Sequence, residues 1–254
     1  MKNIILVLVV ILIVLLVLGA DYYLSGIYDY QESLTSKNFS FLNEYFSQVY
    51  VITLPQRKEY IQQIMEAIKV DCIYFPAILK QKINREHLIL LGLISPQNLL
   101  NNAQIACHLS HITILKKFLK SSARNCLIFE DDISMPQVNK INLPEMLSLI
   151  PSDYDIIYLG RCWDSCRRSV SLNRQIVKCH APQCFHSYGV SREGAKKIIK
   201  YTKALIKPPD LTISEYIRSG KITAYAPKKS IFYQNRQEIT SHLTEDRVTQ
   251  KDCV

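Results

Sequence analysis

The stretch that decides the fold is NCLIFEDDI, Asn125 to Ile133. Its apolar residues 126–129 favour β structure, as expected for a buried strand of a parallel sheet. Three acids, Glu130, Asp131 and Asp132, follow at once. Ligands bind beyond the carboxyl ends of strands in open α/β sheets, and adjacent carboxylates repel one another unless a cation or donors neutralise them. Such a site suits Mg²⁺ or Mn²⁺; the alternative is a solvated loop, since acids favour turns.

The hydrophobic pattern on both sides of this stretch predicts an α/β fold with a β-α-β unit leading into the acidic triplet. Strands are predicted at 49–54, 72–75, 126–129, 155–160, 222–225 and 230–233. Helices are predicted after Pro55 and over 104–119, 144–150, 191–205 and 212–218. Residues 77–101 are expected to form helical turns and a long loop, because Gly92 and Pro96 interrupt them.

The N-terminal segment carries the signature of a membrane anchor. Residues 3–20 hold no charge and, at 1.5 Å per residue, reach about 27 Å, enough to cross a bilayer. A cleaved signal peptide is the alternative. The flanking charges favour a type II signal-anchor at 1–20, with a stem at 21–47 and a lumenal or extracytoplasmic catalytic domain at 48–250.

Two features fit the oxidising environment that this placement implies. The sequence Asn38-Phe39-Ser40 is an acceptor for N-glycosylation at Asn38. Four clustered cysteines are disulfide candidates, with free thiols or a zinc site including His180 and His186 as alternatives: Cys162, Cys166, Cys179 and Cys184. Their pairing cannot be deduced from spacing.

The net charge of +9 is concentrated in the C-terminal part, where residues 151–254 hold 18 of 31 basic residues but 10 of 22 acidic ones. This excess can attract an anionic donor or an acidic acceptor, or it can be a solvated surface. No basic run interleaved with aromatic residues is present, so the sequence does not indicate a nucleic-acid partner.

Four blocks in this order resemble glycosyltransferase family 25. They are VYVITLPQRKEY from Val49, IACHLSHITIL from Ile105, LIFEDDI from Leu127, and SYGVSREGAKKII from Ser187 followed by PPD and YQN. The resemblance covers about residues 48–236. It implies a GT-A-like fold, in which a nucleotide-sugar lies over a doubly wound mixed sheet and the acidic triplet holds Mn²⁺ or Mg²⁺.

The family motifs assign roles to individual residues. Glu130 and Asp132, the outer acids, are the implied metal ligands, whereas Asp131 can point back into the fold. The implied nucleotide-sugar contacts are Thr53, Arg57, Ser110, His111, Glu130, Asp131 and Gln234. For Arg57 and His111 a purely structural role is the alternative. His108 precedes His111 by three residues, but without a third ligand nearby the sequence argues against zinc.

The resemblance implies an inverting transfer, which needs a general base near the acceptor hydroxyl. Asp210 occupies the position of the family's Pro-x-Asp acid. Leu211 follows where the family often has a second acid, so Glu215, about one helical turn further, is the fallback.

The predicted function is therefore transfer of galactose or glucose from a UDP-sugar to a hydroxyl of a glycan or protein acceptor. One rival is a non-catalytic binding or adhesion module of the same fold. Another is a metal-dependent phosphoesterase or nuclease, although the scattered acids and histidines that such enzymes use at strand ends are scarce here.

Overall fold

The computed structural model describes residues 38–134 and 142–235. The predicted signal-anchor (1–20), most of the predicted stem and the predicted domain end at residue 250 lie outside these ranges. Within them, no helix combines the length and the apolar character needed to cross a bilayer.

The centre of the fold is an eight-stranded mixed sheet. The strands are β1 (Gln48–Thr53), β2 (Ile73–Pro76), β3 (Asn125–Glu130), β4 (Ile156–Gly160), β5 (Val170–Ser171), β6 (Ile176–Lys178), β7 (Ser187–Ser191) and β8 (Ala224–Pro227). They lie in the order β2-β1-β3-β7-β4-β8-β6-β5, in which β1, β2 and β3 run parallel, β7 pairs antiparallel with β3 and β4, and β8 is parallel to β4. The predicted mixed α/β architecture is confirmed.

Seven α-helices lie among the described residues: α1 (Phe41–Tyr45), α2 (Lys58–Ala67), α3 (Arg85–Leu90), α4 (Asn102–Lys120), α5 (Leu143–Ser148), α6 (Arg192–Tyr201) and α7 (Pro209–Arg218). α4 begins with a capping box, in which Asn101 and Gln104 exchange side-chain and backbone hydrogen bonds. Its long apolar face covers one side of the sheet, as the sequence pattern predicts.

Several predicted elements of the C-terminal half differ from the structure. α6 ends at Tyr201 rather than near Leu205, because the chain turns at Ala204 (φ 54°) and Leu205 bridges to Ile94. α7 begins at Pro209, since proline is well accommodated in a first helical turn. Residues 230–233 form no strand; the neighbouring Gln234 makes an isolated bridge with Ile133.

β3 is buried on both faces, as its continuous apolar sequence predicts. Leu127 and Phe129 pack into one core cluster, and Cys126 and Ile128 pack into the cluster on the opposite face. All four side chains are fully shielded from solvent. The strand therefore holds the acidic triplet at a fixed position on the sheet edge.

The packed unit, meaning the described residues that pack around the sheet, also includes residues 39–47, which were predicted to belong to the stem. Phe39, Leu42 and Phe46 are at most 4% exposed and belong to the main core. The ring of Phe46 lies against Gly189 of β7, where an added Cβ would stand 2.3 Å from Phe46 Cε1. Glycine is required at that position so that the ring can pack directly on the strand backbone.

The SREGAKK motif of the C-terminal half has a structural role. Ser191 caps α6 through the Gly194 N–H. Arg192 donates to the backbone carbonyls of 119, 121 and 123, in the last turn of α4 and the loop that follows it. An added Cβ on Gly194 would stand 2.0 Å from Asp155 O, and Lys197 pairs with the Asp155 carboxylate at 2.6 Å. The motif therefore joins α6, α4 and the start of β4.

The structure agrees in part with the disulfides predicted for the four clustered cysteines. Cys162 and Cys184 form a disulfide, and Cys166 is likewise disulfide-bonded. Cys179 is a buried free thiol, so its assignment as a disulfide candidate was wrong.

Candidate functional site

The acidic triplet lies where β1 and β3 end side by side. The two strands are parallel, with Ile52 opposite Glu130, so the turn after β1 meets the loop after β3. A cavity of about 580 Å³ opens at this edge. Its lining residues come from four segments: the end of β1 and the following turn (52–57), the stretch after β2 (77–82), one face of α4 (103–111) and the acidic triplet (130–132).

Asp131, the middle acid, joins the two loops. Its Oδ2 accepts from the Leu54 N–H at 2.6 Å, and its Oδ1 accepts from an Arg57 guanidinium nitrogen at 3.0 Å. Burial raises the pKa of Asp131, while the hydrogen bonds from Leu54 and Arg57 act in the opposite direction. The carboxylate therefore holds Arg57 at the cavity wall.

Glu130, the first acid, pairs with His111 across the gap between β3 and α4. The distance from Glu130 Oε1 to His111 Nε2 is 2.9 Å, and Cys107 Sγ lies 3.7 Å from the same oxygen. His111 Nδ1 contacts the hydroxyl of Tyr188 at 3.1 Å. Burial works to raise the pKa of Glu130, but the hydrogen bond and charge of His111 outweigh it and the pKa is lowered. Glu130 is therefore held as a carboxylate.

Asp132, the last acid, connects the triplet to the C-terminal segment. Gln234 Nε2 donates to Asp132 Oδ2 at 3.1 Å, and the Asn235 N–H donates to the Asp132 carbonyl at 2.6 Å. The structure thus brings the predicted residue Gln234 to the acidic loop, although Gln234 is not among the cavity-lining residues.

The side chains of two other predicted nucleotide-sugar contacts, Ser110 and Thr53, form hydrogen bonds with backbone groups. Ser110 is fully buried; its hydroxyl donates to Ala106 O at 2.8 Å and accepts from the Ile78 N–H at 2.9 Å, which ties the stretch after β2 to α4. Thr53 is buried and donates to Leu54 O, and it is not among the lining residues.

The two base candidates lie in different surroundings. Asp210 is in the first turn of α7, where its Oδ2 accepts from the Cys184 N–H at 3.0 Å. Burial raises its pKa, hydrogen bonds from the Cys184 and Leu211 backbones lower it, and the charge of Glu130 raises it further. Glu215 is exposed and pairs with Lys207. The structure therefore places Asp210 beside the backbone of Cys184, outside the set of cavity-lining residues, and it places Glu215 on the surface.

Sequence reasoning missed Cys107 and Tyr188, which complete the surroundings of Glu130. Burial, followed by the charges of Glu130 and Asp210, raises the pKa of the Cys107 thiol. The i, i+4 spacing of Cys107 and His111 on a helix was a signal available in the sequence. Tyr188 carried no such signal, because its contact depends on the pairing of β7 with β3.

Comparisons with known proteins identify the family to which the sequence is similar. Residues 46–213 match the family described as glycosyltransferase family 25 (LPS biosynthesis protein). A glycosyltransferase 25 family member from Drosophila melanogaster is 24% identical over 57% of this chain and 26% of its own length. Procollagen galactosyltransferase 2 from Mus musculus is 22% identical over 74% of this chain and 35% of its own length.

The chain thus spans only about a quarter to a third of the length of these relatives. The family match covers well over half of the chain and includes β1, α4, the acidic triplet and α6. The chain belongs to glycosyltransferase family 25.

Proposed function

We propose that this chain is a glycosyltransferase that moves galactose or glucose from a UDP-sugar to a hydroxyl group of a glycan or protein. The observation that carries the proposal is the cavity at the ends of β1 and β3, which is lined by the acidic triplet and by Arg57, paired with Asp131. Its volume of about 580 Å³ is in the range of small-molecule sites, roughly 300–1,000 Å³.

Arg57 and the basic stretch after β2 provide positive charge for the donor diphosphate. Arg57 is fixed by Asp131, and Lys80 and Lys82 lie in a 3₁₀ turn that also lines the cavity. A cationic wall attracts phosphate groups and stabilises the charge that develops on the leaving diphosphate.

Glu130 and Asp132 are the residues that would hold Mn²⁺ or Mg²⁺. Both line the cavity, and they supply oxygen donors of the type these ions prefer, whereas Asp131 uses both of its carboxylate oxygens to accept from Leu54 and Arg57. The donor set therefore fits a hard divalent cation. When bound, such an ion supplies Lewis-acid stabilisation of the departing nucleoside diphosphate.

Asp210 is proposed as the general base of an inverting transfer. It takes the proton of the acceptor hydroxyl, whose oxygen then attacks the anomeric carbon from the face opposite the leaving UDP. The raised pKa of Asp210 brings it closer to the working pH of a base than a free aspartate. Glu215, paired with Lys207 on the surface, is the weaker candidate.

The proposal extends to the fold family and the cellular setting. A GT-A-like arrangement is supported by the nucleotide-sized cavity at the carboxyl ends of parallel strands. A type II anchor at 1–20, a lumenal domain and glycosylation at Asn38 are supported by the sequence and by the disulfide Cys162–Cys184. Asn38 is exposed.

The test is release of UDP by the purified full-length chain supplied with a panel of UDP-sugars, hydroxyl acceptors and Mn²⁺, with and without EDTA. We expect release with at least one donor, loss of release in EDTA, and loss in Asp132→Asn. The asparagine keeps an oxygen that can accept from Gln234, so folding is retained. Glu193→Gln, an exposed acid on α6, is the matched control.

Each alternative gives a different result in this assay. Nucleotide binding without UDP release from any donor would support the non-catalytic module. Release of inorganic phosphate would support the phosphoesterase. Full turnover of Asp132→Asn would remove Asp132 from the proposed metal site.

A further inference from the structure

Beyond glycosyl transfer, the structure brings together a second group of side chains whose atoms are of the kind that bind metals. Among the described residues, Cys107, His111 and Glu130 place one ligand atom each within 4.8 Å of the other two. Asp132 is not part of this group. The set combines a sulfur, a nitrogen and an oxygen donor, which differs from the all-oxygen set expected for Mn²⁺ or Mg²⁺.

We propose that Cys107, His111 and Glu130 bind a thiophilic divalent cation, of which Zn²⁺ is the representative. Cys107 and His111 are four residues apart on α4, so both side chains project from the same face of the helix. Glu130 meets them from the end of β3. The three ligands therefore come from two rigid elements whose relative position is fixed by the core.

The two distances that involve Glu130 suit such an ion after small adjustments. Around tetrahedral Zn²⁺, with bonds of about 2.0–2.3 Å, neighbouring donor atoms lie about 3.3–3.6 Å apart. Here Glu130 Oε1 is 2.9 Å from His111 Nε2 and 3.7 Å from Cys107 Sγ. Side-chain shifts of a few tenths of an ångström would bring both distances into that range.

The surroundings of His111 support the same conclusion. Histidines that bind metals usually have a partner at the second ring nitrogen that fixes the tautomer and the ring orientation. His111 Nδ1 has this partner in the hydroxyl of the buried Tyr188, and its Nε2 points to Glu130. The cavity on the open side leaves room for a water or a substrate atom as the fourth ligand.

Binding would release the thiol proton of Cys107 to solvent as the sulfur–metal bond forms, because thiolate is the ligand form of cysteine. A bound Zn²⁺ would also occupy the Glu130 carboxylate, which is one of the two proposed ligands of the Mn²⁺ or Mg²⁺ that assists the sugar transfer. The two kinds of cation are therefore expected to compete for this edge of the sheet.

The experiment is titration of the full-length chain with Co²⁺, a spectroscopic substitute for Zn²⁺, in the absence of any sugar donor. We expect a thiolate-to-cobalt charge-transfer band that saturates at one equivalent and disappears when Zn²⁺ is added. Cys107→Ser should remove the band. Cys72→Ser, which alters another half-buried free thiol, should keep it.

Tyr188→Phe distinguishes a metal site from a chance cluster. Loss of the hydroxyl that orients His111 should weaken Co²⁺ affinity by about 10–100-fold while the band remains, as for other residues that support metal-binding histidines. An affinity equal to that of the unaltered chain would contradict the role of Tyr188 and, with it, the ligation by His111.

A second measurement does not require any variant to fold. Cys107 lines the cavity, so alkylation of this thiol by iodoacetamide can be followed by peptide mass spectrometry. Saturating Zn²⁺ should slow its labelling and leave that of Cys72 unchanged. Equal labelling of Cys107 with and without Zn²⁺, or a cobalt band that survives Cys107→Ser, would overturn the proposal. Neither readout depends on sugar transfer, so the two proposals fail separately.

Discussion

The contact between Phe46 and Gly189 gives a quantitative test of where the folded domain begins. If residues 39–47 are part of the packed unit, the ring of Phe46 and the missing side chain of Gly189 must be energetically coupled. An added Cβ at 189 would lie 2.3 Å from Phe46 Cε1 and 2.6 Å from Phe46 Cζ, well inside van der Waals contact.

Each single substitution should destabilise the fold. Gly189→Ala forces the ring aside, and overpacking of this kind costs about 1–3 kcal/mol. Phe46→Ala removes a side chain that is 1% exposed, which costs about 3–5 kcal/mol through lost burial and the cavity left behind. Against a typical unfolding free energy of about 5–15 kcal/mol, both effects are measurable.

The double variant should be less destabilised than the sum of the two. With the ring removed, the alanine methyl at 189 meets no clash and fills part of the cavity, so we expect a coupling free energy of about 1–2 kcal/mol. Urea unfolding of the four proteins, followed by tryptophan fluorescence and circular dichroism, measures it. Additivity within about 0.5 kcal/mol, or a Phe46→Ala cost below about 1 kcal/mol, would refute the assignment of residues 39–47 to the core.

Two further predictions concern titratable groups. Asp210→Asn should lower kcat/KM for UDP release with acceptor by about 10²–10⁴-fold, as expected for loss of a general base. The control Glu193→Gln should leave kcat/KM unchanged. A comparable loss in Glu215→Gln alone would instead identify Glu215 as the base. Because the pKa of Asp210 is raised, the acid limb of the kcat/KM profile should lie above the ordinary aspartate value of about 3.9 and be absent from Asp210→Asn. Burial, with the charges of His111 and Lys116, lowers the pKa of His108 to about 3. His108 therefore binds a proton at a higher pH in the unfolded chain than in the folded chain. The free energy of unfolding should then decrease as the pH falls below about 6.5, by about 2 kcal/mol between pH 7 and pH 5. Urea unfolding of His108→Leu should show a smaller decrease in the free energy of unfolding over the same pH range.

Much of the fold could be predicted from the sequence because local patterns carry it. The apolar run before the acidic triplet indicates a strand buried on both faces, and the periodicity of residues 104–119 indicates the helix beside it. β7 was not predicted, because its sequence SYGVS contains Ser187 and Gly189, which weaken the strand pattern. The segment forms a strand because it pairs with β3 and β4 and because Phe46 packs on Gly189. The predicted start at Gln48 likewise overlooked the anchoring of Phe46.

The sequence by itself determined that three acids follow a buried strand, that the chain alternates strands and helices, and that its motifs resemble a glycosyltransferase family. Only the tertiary structure decided what each acid does. Asp131 is engaged by the turn after β1, Glu130 by His111 and Asp132 by Gln234. These partners lie between 19 and 102 residues away in the chain, and spacing along a sequence carries no information about distances that are set by strand pairing and core packing.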